Sequence, residues 1–478
     1  MLDVVELSRL QFAIVTIYHY FFVPMSIGLA AVTAGLQTAW WRTGKDHYRH
    51  LTLLVGKILI VTFAVGVVTG LVQEFQFGLS WSEFSRFYGD VFGPTLAIEG
   101  MLAFFLEATF LGLWFFGWDR LKLGLHLATI WIVAVGTVLS AVVIMAANSF
   151  MQNPVAYRVN EETGRAELAN FGDLMVNEVN LAAVPHTLAG AAMTAGALLL
   201  AVGAWRAWGK RASITEPEHT SWRFLARTGG WITLVSGVAV MITGDVLGKV
   251  MTRVQPMKMA VAEALFHTQT GAPFSIFAVG GADGREPFFS LDVPYLLSVL
   301  AAGDPGAEVQ GIYDLQAQYA EVYGPGNYIP WVPVAYWSFR LMIGAGVLAA
   351  VLAAAVLWLT RKNRALPTGR PIGVWLMRSL PVLPLLPHAA NAFGWIFTET
   401  ARQPWLAFGE FLTVDGVSPG LTAAEVTASL IGFTVLYGVL AVVWIRLVLY
   451  LIRQDLSPHP VPPDVTEDLD TTRTAPSY

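Results

Sequence analysis

Long apolar segments alternate with shorter polar segments along almost the whole chain. Each apolar segment is longer than the roughly 20 residues that an α-helix needs to cross the hydrocarbon layer of a membrane. Because lipid offers no partners to backbone N–H and C=O groups, such segments must form helices that satisfy these groups internally. The pattern predicts an all-α, polytopic membrane helix bundle with about nine transmembrane helices, at 12–40, 52–76, 94–117, 124–147, 184–207, 223–245, 332–360, 373–398 and 424–452.

The composition agrees with a membrane protein. Hydrophobic residues fill 55% of the 478 positions and charged residues only 13%, about half the charged share of a soluble domain. The 17 Trp residues suit the aromatic belts found at membrane interfaces. The formal net charge of -5 gives no reason to expect nucleic acid as a partner.

The chain contains no cysteine. This excludes disulfides, iron–sulfur clusters and haem attached through thioether bonds. The N-terminal segment has neither a basic region nor a small-residue cleavage site, so we expect the first apolar segment to remain as a membrane span.

Basic residues are concentrated in alternate loops, while the other loops are poorer in Lys and Arg and carry acidic stretches. By the positive-inside rule, this asymmetry predicts an N-terminus outside and a cytoplasmic C-terminus. The basic loops contain Arg42, Lys45 and Arg49, then Arg120 and Lys122, then Arg206, Lys210 and Arg211, and finally Arg361, Lys362, Arg364, Arg370 and Arg378.

The longest polar interruption, residues 246–331, falls on the predicted outer side of a membrane domain that covers 1–455. It opens with a helix-like stretch at 254–266, and a loop of this length within a compact bundle is usually functional or disordered. The tail at 456–478 is rich in Pro, Asp and Thr, and we expect it to be a disordered cytoplasmic end. No internal repeat is apparent, which argues against an inverted-repeat transporter.

Four polar or sulfur-containing side chains fall at a similar depth in the outer half of the predicted bilayer: His19, His186, Met342 and Glu399. Taken singly, each has an ordinary explanation, as a hydrogen-bonded core histidine, a packing methionine or a solvated carboxylate. Taken together, on different helices, they are the residue types that hold haem iron inside a helix bundle. A His/Met pair would give a six-coordinate electron-transfer haem.

Two carboxylates, Glu99 and Glu107, lie on the third predicted helix, eight residues apart and on one broad face. Carboxylates at two depths suit a proton relay, although each could instead be neutralised by a neighbouring helix. Lys57, near the inner end of the second helix, could mark a proton uptake site, but we favour a side chain that extends towards the interface. We interpret His126 and His388 as hydrogen-bonded core residues.

Four sequence stretches together resemble subunit I of the cytochrome bd-type quinol oxidases, over about residues 1–455. The most specific is Gly394-Trp-Ile-Phe-Thr-Glu399-Thr-Ala-Arg402-Gln-Pro-Trp405, which is similar to the family signature G-W-x-x-x-E-x-G-R-Q-P-W. Ala401 stands where the signature has Gly, a small change. The other stretches are Glu6-Leu-Ser-Arg-Leu-Gln-Phe-Ala with Tyr18-His19 and Phe22-Val-Pro24, Gln255-Pro-Met-Lys258 with Glu263, and Trp337-Ser-Phe-Arg340-Leu-Met342.

The resemblance implies three haems. His186 and Met342 match the ligands of the low-spin haem b, known as b558. His19 and Glu399 match the ligands of a high-spin pair, haem b (b595) and the chlorin haem d. Family members differ in which ligand serves which high-spin haem, and we assign His19 to haem d. The signature residues Trp395 and Arg402 are expected beside the haems, with Arg340 within reach of a propionate.

The resemblance also implies the remaining roles. Glu99 matches a carboxylate beside the oxygen-reducing haem, and Glu107 a residue of the proton pathway. Lys258 and Glu263 match the quinol-binding pair of the outer loop, 246–331, which the family calls the Q-loop. The Q-loop is short here and lacks the C-terminal insertion of some members, so the carry-over of quinol contacts stops at these two residues.

The function predicted from the sequence is a terminal respiratory oxidase in the bacterial plasma membrane. It would oxidise quinol at the outer face and reduce oxygen to water, with protons drawn from the inside and no pump. The resemblance implies a homologous second subunit and small single-helix subunits as partners. Two alternatives stay open: a haem b membrane anchor that passes electrons between quinone and a dehydrogenase, and a haem-free cation transporter.

Overall fold

The computed structural model describes residues 3–209, 216–280, 284–454 and 456. Helices dominate these ranges, and the predicted cytoplasmic tail lies almost wholly outside them. The helices are α1 Val4–Thr43, α2 Asp46–Leu79, α3 Ser82–Gly100, a π-helical segment Met101–Glu107, α4 Ala108–Phe116, α5 Leu123–Gln152, α6 Phe171–Met175, α7 Glu178–Trp208, α8 Glu216–Val254, α9 Pro256–Glu263, α10 Leu296–Ala302, α11 Ile312–Tyr323, α12 Val332–Leu359, α13 Pro371–Ser379, α14 Leu385–Thr400 and α15 Ala423–Arg453.

Eight helical stretches within the described residues are long and apolar enough to cross a membrane. They are α1, α2, the run from α3 to α4, α5, α7, α8, α12 and α15. The membrane helix bundle expected from the hydrophobic pattern is therefore confirmed. Most of the helices extend beyond the predicted limits, and α8 continues to Val254, so residues 246–254, which the sequence assigns to the outer loop, are helical.

The predicted span at 373–398 is not one continuous helix. It consists of α13 and α14, separated by a turn at 380–384. Pro381 and Pro384 lie in this turn. Proline has no N–H to donate and its ring clashes with the preceding helical turn, so a helix rarely continues through such a pair. The single span predicted here from hydrophobicity alone was wrong in this respect.

The ends of the first and last spans follow directly from local sequence. The side chain of Asp3 accepts a hydrogen bond from the backbone N–H of Glu6, whose carboxylate accepts one from the N–H of Asp3. This reciprocal cap satisfies N–H groups that have no partner in the first helical turn. Thr422 and Glu425 form the same cap on α15. Gly44 ends α1 in the left-handed conformation that glycine adopts without strain.

The centre of the bundle is formed by α1, α2, α7 and α8, and α12 packs on α8 and α14. Helices α7 and α8 approach closely because small residues line their contact. A Cβ atom added to Gly203 would lie only 2.4 Å from the backbone nitrogen of Ala226, and one added to Gly229 would lie 2.3 Å from that of Leu200. Small residues allow close backbone approach in this way in membrane bundles.

Short strands occur in the connections, which the all-α prediction did not include. Each pairs with one partner, so the described residues contain four two-stranded antiparallel sheets. In the outer loop, Phe274 pairs with Val293 and Val279 with Phe289. The paired strands are β1 Tyr157–Asn160 with β2 Arg165–Leu168, β3 Gln269–Thr270 with β6 Glu308–Val309, β4 Phe274–Val279 with β5 Phe289–Val293, and β7 Trp405–Ala407 with β8 Phe411–Leu412.

Candidate functional site

His19 projects from α1 towards α2, where its Nδ1 atom lies 3.0 Å from the hydroxyl oxygen of Thr69. That hydroxyl is within donating distance of the carbonyl oxygens of Val65 and Gly66, at 3.0 and 2.9 Å. A hydroxyl that donates to its own helix can only accept from the ring, and the backbone carbonyl of Gly66 is a second acceptor beside the ring. No described residue hydrogen-bonds Nε2 of His19, so this atom keeps a lone pair that could ligate a metal.

His186 has the same arrangement in another helix pair. It projects from α7 towards α8, and its Nδ1 atom lies 3.3 Å from the hydroxyl oxygen of Thr243. The Thr243 hydroxyl donates to the carbonyl of Ala239 at 2.7 Å. Within the described part of the chain, Nε2 of His186 has no hydrogen-bond partner either. The backbone carbonyl of Val240, also on α8, is a second acceptor beside this ring. Both histidines are thus held by the neighbouring helix, and Nε2 is left available.

Each of three candidate ligands lies against a glycine on a neighbouring helix. A Cβ atom added to Gly70 would lie 3.0 Å from Cε1 of His19, and one added to Gly244 would lie 3.2 Å from Cε1 of His186. On α14, a Cβ atom added to Gly394 would lie 3.1 Å from the sulfur of Met342, which projects from α12. These side chains occupy space that opens only because the opposite residue has no side chain.

The other histidines in question differ in their contacts. In His126, Nδ1 lies 2.8 Å from the amide nitrogen of Gln37 and Nε2 lies 2.8 Å from the carbonyl oxygen of Trp114. In His388, both ring nitrogens lie within hydrogen-bond distance of backbone carbonyls, at 2.7 and 3.2 Å. Neither ring has a nitrogen left for iron. These contacts support the interpretation of both as core residues.

Glu399, at the end of α14, is held by two partners. Nη2 of Arg402 donates to its Oε2 atom at 2.5 Å, and the side-chain amide of Asn148 donates to Oε1 at 3.1 Å. Glu399, Arg402 and Trp395 line a largely apolar cavity of about 400 Å³ that also borders Arg9. Three predicted residues of the signature therefore meet at one cavity.

Lys258 and Glu263, both in α9, are buried beneath the outer loop rather than displayed on it, with exposures of 2% and 4%. They face different partners. Nζ of Lys258 donates to the side-chain oxygen of Gln152 at 2.5 Å. Glu263 accepts from Nη2 of Arg340 at 2.6 Å. Arg340 also donates from Nε to the carbonyl of Ser275 at 2.5 Å, so the residue expected near a propionate is the ion-pair partner of Glu263.

Burial shifts the pKa values of these two α9 residues towards each other. Desolvation raises the pKa of Glu263 to about 7, although the positive charge of Arg340 opposes the rise. Desolvation also lowers the pKa of Lys258 to about 7, and the nearby charge of Arg402 lowers it further while Glu399 opposes the change. A carboxyl and an amine that both titrate near neutral pH are suited to accepting or releasing protons.

Glu99 and Glu107 both face α5. The hydroxyl of Ser140 donates to Glu99 at 3.0 Å. A Cβ atom added to Gly136, one turn away on α5, would lie 3.1 Å from Cγ of Glu107. Glu107 is buried, and its Oε1 atom has no hydrogen-bond partner among the described residues. The π-helical segment Met101–Glu107 follows Glu99 closely and ends with Glu107 itself, and single π-helical turns are frequent at functional sites.

Comparison with known proteins identifies the family of the chain. The family model described as "Cytochrome bd terminal oxidase subunit I" matches residues 7–456. The chain belongs to this family. The family predicted from the sequence motifs is therefore confirmed, as is the prediction of a membrane oxidoreductase. Members of the cytochrome bd family contain haem, and they generally work with a subunit II.

Two curated relatives and one solved structure are similar over nearly their whole length. The cytochrome bd ubiquinol oxidase subunit 1 of Bacillus subtilis is 39% identical over 450 residues, which cover 94% of this chain and 93% of that protein. The cytochrome bd-II ubiquinol oxidase subunit 1 of Escherichia coli is 32% identical, with 91% and 94% covered. The structure of the bd oxidase from Geobacillus thermodenitrificans has a TM-score of 0.83 and 30% identity, covering 94% of this chain and 98% of that one.

The buried polar atoms of this cytochrome bd subunit fit haem. Nη1 of Arg340 and both Nε and Nη1 of Arg402 are buried without a hydrogen-bond partner among the described residues. Buried guanidinium groups left in this state are costly, and haem carries carboxylates that would satisfy them. The available Nε2 atoms of His19 and His186 and the buried guanidinium groups are therefore of the kinds that would hold the iron and the carboxylates of haem.

Sequence reasoning missed Thr69 and Thr243. The signal that could have found them is short: Val67-Val-Thr69-Gly70-Leu-Val72 and Met241-Ile-Thr243-Gly244-Asp-Val246 place a Thr-Gly pair at similar positions in two apolar helices. Sequence reasoning also missed the break in α13–α14 and the π-helical segment. Neither interrupts the apolar composition from which the spans were predicted.

Proposed function

We propose that this chain is the haem-bearing subunit of a terminal oxidase that oxidises membrane quinol at the outer face and reduces oxygen to water. Beyond membership of the family, one structural observation supports the proposal: the hydrogen bonding of four histidines. His19 and His186 are each held through Nδ1 by a threonine, leaving Nε2 available, while the two other histidines considered, His126 and His388, have both nitrogens engaged.

His186 and Met342 would hold the low-spin haem b, the b558 type. His19 would hold haem d, and Glu399 the high-spin haem b, the b595 type. Arg402 and Arg340 supply buried positive charge for the haem carboxylates, and Trp395 forms part of the cavity wall. When bound, the haems supply electron transfer and oxygen reduction, while the protein supplies ligands, spacing and exclusion of water.

Quinol oxidation requires that protons leave the substrate as electrons do. Glu263 and Lys258 would accept or stabilise these protons, because the pKa values of both lie near 7. The ion pair with Arg340 orients the Glu263 carboxylate, and Gln152 orients the ammonium group of Lys258. Because both residues are buried, quinol would approach them through the packing between α9 and the membrane helices.

Protons consumed in forming water would come from the inner side. Glu107 and Glu99 face the same helix, α5, where their neighbours Gly136 and Ser140 are one turn apart, so they could pass protons outwards in two steps. Lys57, half-buried in α2, is a candidate for proton uptake. Charge would then cross the membrane without a pump, because quinol releases its protons outside while water formation takes protons from inside.

The setting of the enzyme follows from its apolar spans and its loop charges. The eight continuous spans alone would leave both termini on one side, so termini on opposite sides require α13 and α14 together to complete a ninth crossing. We propose a multi-pass protein of the bacterial plasma membrane, with its N-terminus outside and its C-terminus in the cytoplasm, as the positive-inside rule predicts. A homologous second subunit would pack against this chain, with small single-helix subunits as further partners.

The test is the reduced-minus-oxidised absorption spectrum of the complex purified in mild detergent, followed by quinol-driven oxygen consumption. Two b-type signals, a far-red chlorin band and rapid oxygen uptake are expected. Haem b without oxygen uptake would instead indicate a membrane anchor that passes electrons to another protein. A folded complex without pigment would contradict the haem assignment and leave a transporter.

A further inference from the structure

We propose that two Thr-Gly pairs, Thr69-Gly70 in α2 and Thr243-Gly244 in α8, are matched positioning elements that fix the ring orientation and tautomer of His19 and His186. The inference deepens the proposed function and rests on its assignment of these histidines as haem ligands. It concerns residues that do not themselves contact iron.

The threonine of each pair fixes the tautomer. Its hydroxyl donates to a carbonyl of its own helix, that of Val65 or Gly66 for Thr69 and that of Ala239 for Thr243. The hydroxyl oxygen is then an acceptor only, and the backbone carbonyl of Gly66 or Val240 is a second acceptor beside the ring, so the facing helix favours the neutral ring with its proton on Nδ1. A neutral histidine with its proton on Nδ1 presents an unprotonated Nε2, which is the form that ligates a metal.

The glycine of each pair fixes the ring position. A Cβ atom at residue 70 would lie 3.0 Å from Cε1 of His19 and 3.6 Å from its Nε2. At residue 244, it would lie 3.2 Å from Cε1 and 3.4 Å from Nδ1 of His186. The two contacts with Cε1 are tighter than ordinary van der Waals contact, so an added methyl group would push either ring away by a few tenths of an ångström. The threonine therefore holds one edge of the imidazole, and the adjacent glycine leaves room for the Cε1 atom of the ring.

The hydrogen bond to the histidine distinguishes these threonines from others in the same helices. Thr52 in α2 and Thr233 in α8 also donate to a carbonyl four residues earlier, that of Tyr48 and that of Gly229. Neither has a side-chain hydrogen-bond partner among the described residues. Threonine commonly donates to a backbone carbonyl within an apolar helix, so that bond alone does not distinguish Thr69 and Thr243. Their contact with an imidazole ring does.

Donation from Nδ1–H makes the imidazole a more basic ligand. Removing the acceptor would weaken the iron bond and favour the reduced, less positive iron. The expected result for Thr243→Val is a rise in the midpoint potential of the low-spin haem and about tenfold faster loss of that haem to excess apomyoglobin. Thr243→Ser, which keeps the hydroxyl, should restore both values. Thr233→Val is the matched control on α8 and should leave them unchanged.

The positioning role of Gly70 and Gly244 is tested on variants of the same purified complex. Gly244→Ala should weaken and broaden the low-spin signal in the reduced-minus-oxidised spectrum, and the total haem b, measured as the pyridine haemochrome, should fall with it. Gly248, one turn further along α8, has no atom near the position of an added Cβ, so Gly248→Ala is the matched control. For His19, Gly70→Ala should affect only the high-spin haem signals, with Gly78→Ala as the control because that position is also open.

His186→Ala separates this inference from the proposed function. Retention of a normal low-spin haem in His186→Ala would overturn the ligand assignment itself. Loss of that haem, together with a wild-type potential and haem-loss rate in Thr243→Val, would overturn only the positioning role. Equal effects of Thr243→Val and Thr243→Ser would also overturn it, since the hydroxyl would then have no part. Where Thr243→Val does not assemble, Thr243→Ala carries the same expectation.

Discussion

Arg340 and Glu263 form an ion pair that is almost completely buried. Nη2 of the guanidinium lies 2.6 Å from Oε2 of the carboxylate, and the exposed fractions of the two side chains are 8% and 1%. The guanidinium also lies over the rings of Phe274 and Tyr336, at 4.5 and 4.6 Å from their centroids. The pair therefore joins the membrane helix α12 to α9, the helix that carries the proposed quinol residues.

Breaking this pair should destabilise the fold. Glu263→Ala leaves the Arg340 charge buried without its partner, and such a loss typically costs about 3–5 kcal/mol. Arg253 and Glu178 form an exposed ion pair at 2.9 Å, for which a loss of at most about 1 kcal/mol is expected. Thermal unfolding of the purified complex should thus show a much larger drop in Tm for Glu263→Ala than for Glu178→Ala. Equal drops would mean that the buried pair contributes no more than a surface pair.

The pH dependence of quinol oxidation should follow the ionisation of Glu263. Its pKa is raised to about 7, chiefly by burial, and a base must be deprotonated to accept a proton. We therefore expect kcat/KM for quinol to rise with pH through about 7 and then level off. Glu263→Gln should remove this rise, while Glu308→Gln, at an exposed position of the same loop, should keep it. An unchanged profile in Glu263→Gln would exclude Glu263 as the base.

The raised pKa of Glu263 also affects the free energy of unfolding, but in the opposite direction: this contribution to stability falls as the pH rises. Because the folded protein holds this proton more tightly than the unfolded chain, the contribution of Glu263 is fully present below its ordinary pKa of 4.5. It is lost as the pH rises through about 7.

Lys258 should affect stability in a pH range above neutrality. Its pKa is lowered from 10.5 to about 7, mainly by burial, so the unfolded chain binds its proton more tightly than the folded protein does. The cost of burying this amine grows as the pH falls from 10.5 to about 7 and is constant below that. Lys258→Met should consequently raise Tm more at pH 7 than at pH 9. A pH-independent difference between the two proteins would contradict the lowered pKa.

Met342 depends on Gly394 for its position. Gly394→Ala would place a methyl group 3.1 Å from the methionine sulfur and should displace it from the low-spin haem. The expected result is a weakened low-spin signal in the reduced-minus-oxidised spectrum with little change in the high-spin signals. Gly344, two residues from Met342, has open space around it, and Gly344→Ala should be spectroscopically silent. A normal spectrum in Gly394→Ala would argue against Met342 as a ligand.

Glu107 offers a test of the proton route. It is buried, and its Oε1 atom has no partner among the described residues, so Glu107→Gln should leave the fold and haem content intact. Loss of a relay carboxyl should slow quinol-driven oxygen consumption at least tenfold. Glu83→Gln, in the first turn of the same span, serves as the control. Wild-type turnover in Glu107→Gln would place the proton route elsewhere.

Several features of the fold were predictable because they depend on local sequence. Lipid imposes a minimum length and an apolar composition on every span, so eight of the nine predicted segments correspond to continuous helices. The family signature around Glu399 is contiguous, and hence its residues could be identified from the order of amino acids alone. The break at Pro381 and Pro384 was also local, but apolar composition dominated the prediction there.

The candidate ligands His19, His186, Met342 and Glu399 were therefore accessible from the sequence, together with the membrane class and the family. The residues that surround these candidate ligands could not be predicted from the sequence. Arg340 meets Glu263 across 77 positions of the chain, and Thr69 meets His19 across 50. No periodicity within one helix encodes which residue of another helix lies opposite. The packing of whole helices decides that pairing. It also determines the shifted pKa values of Glu263 and Lys258 and places Thr69 and Thr243 beside His19 and His186.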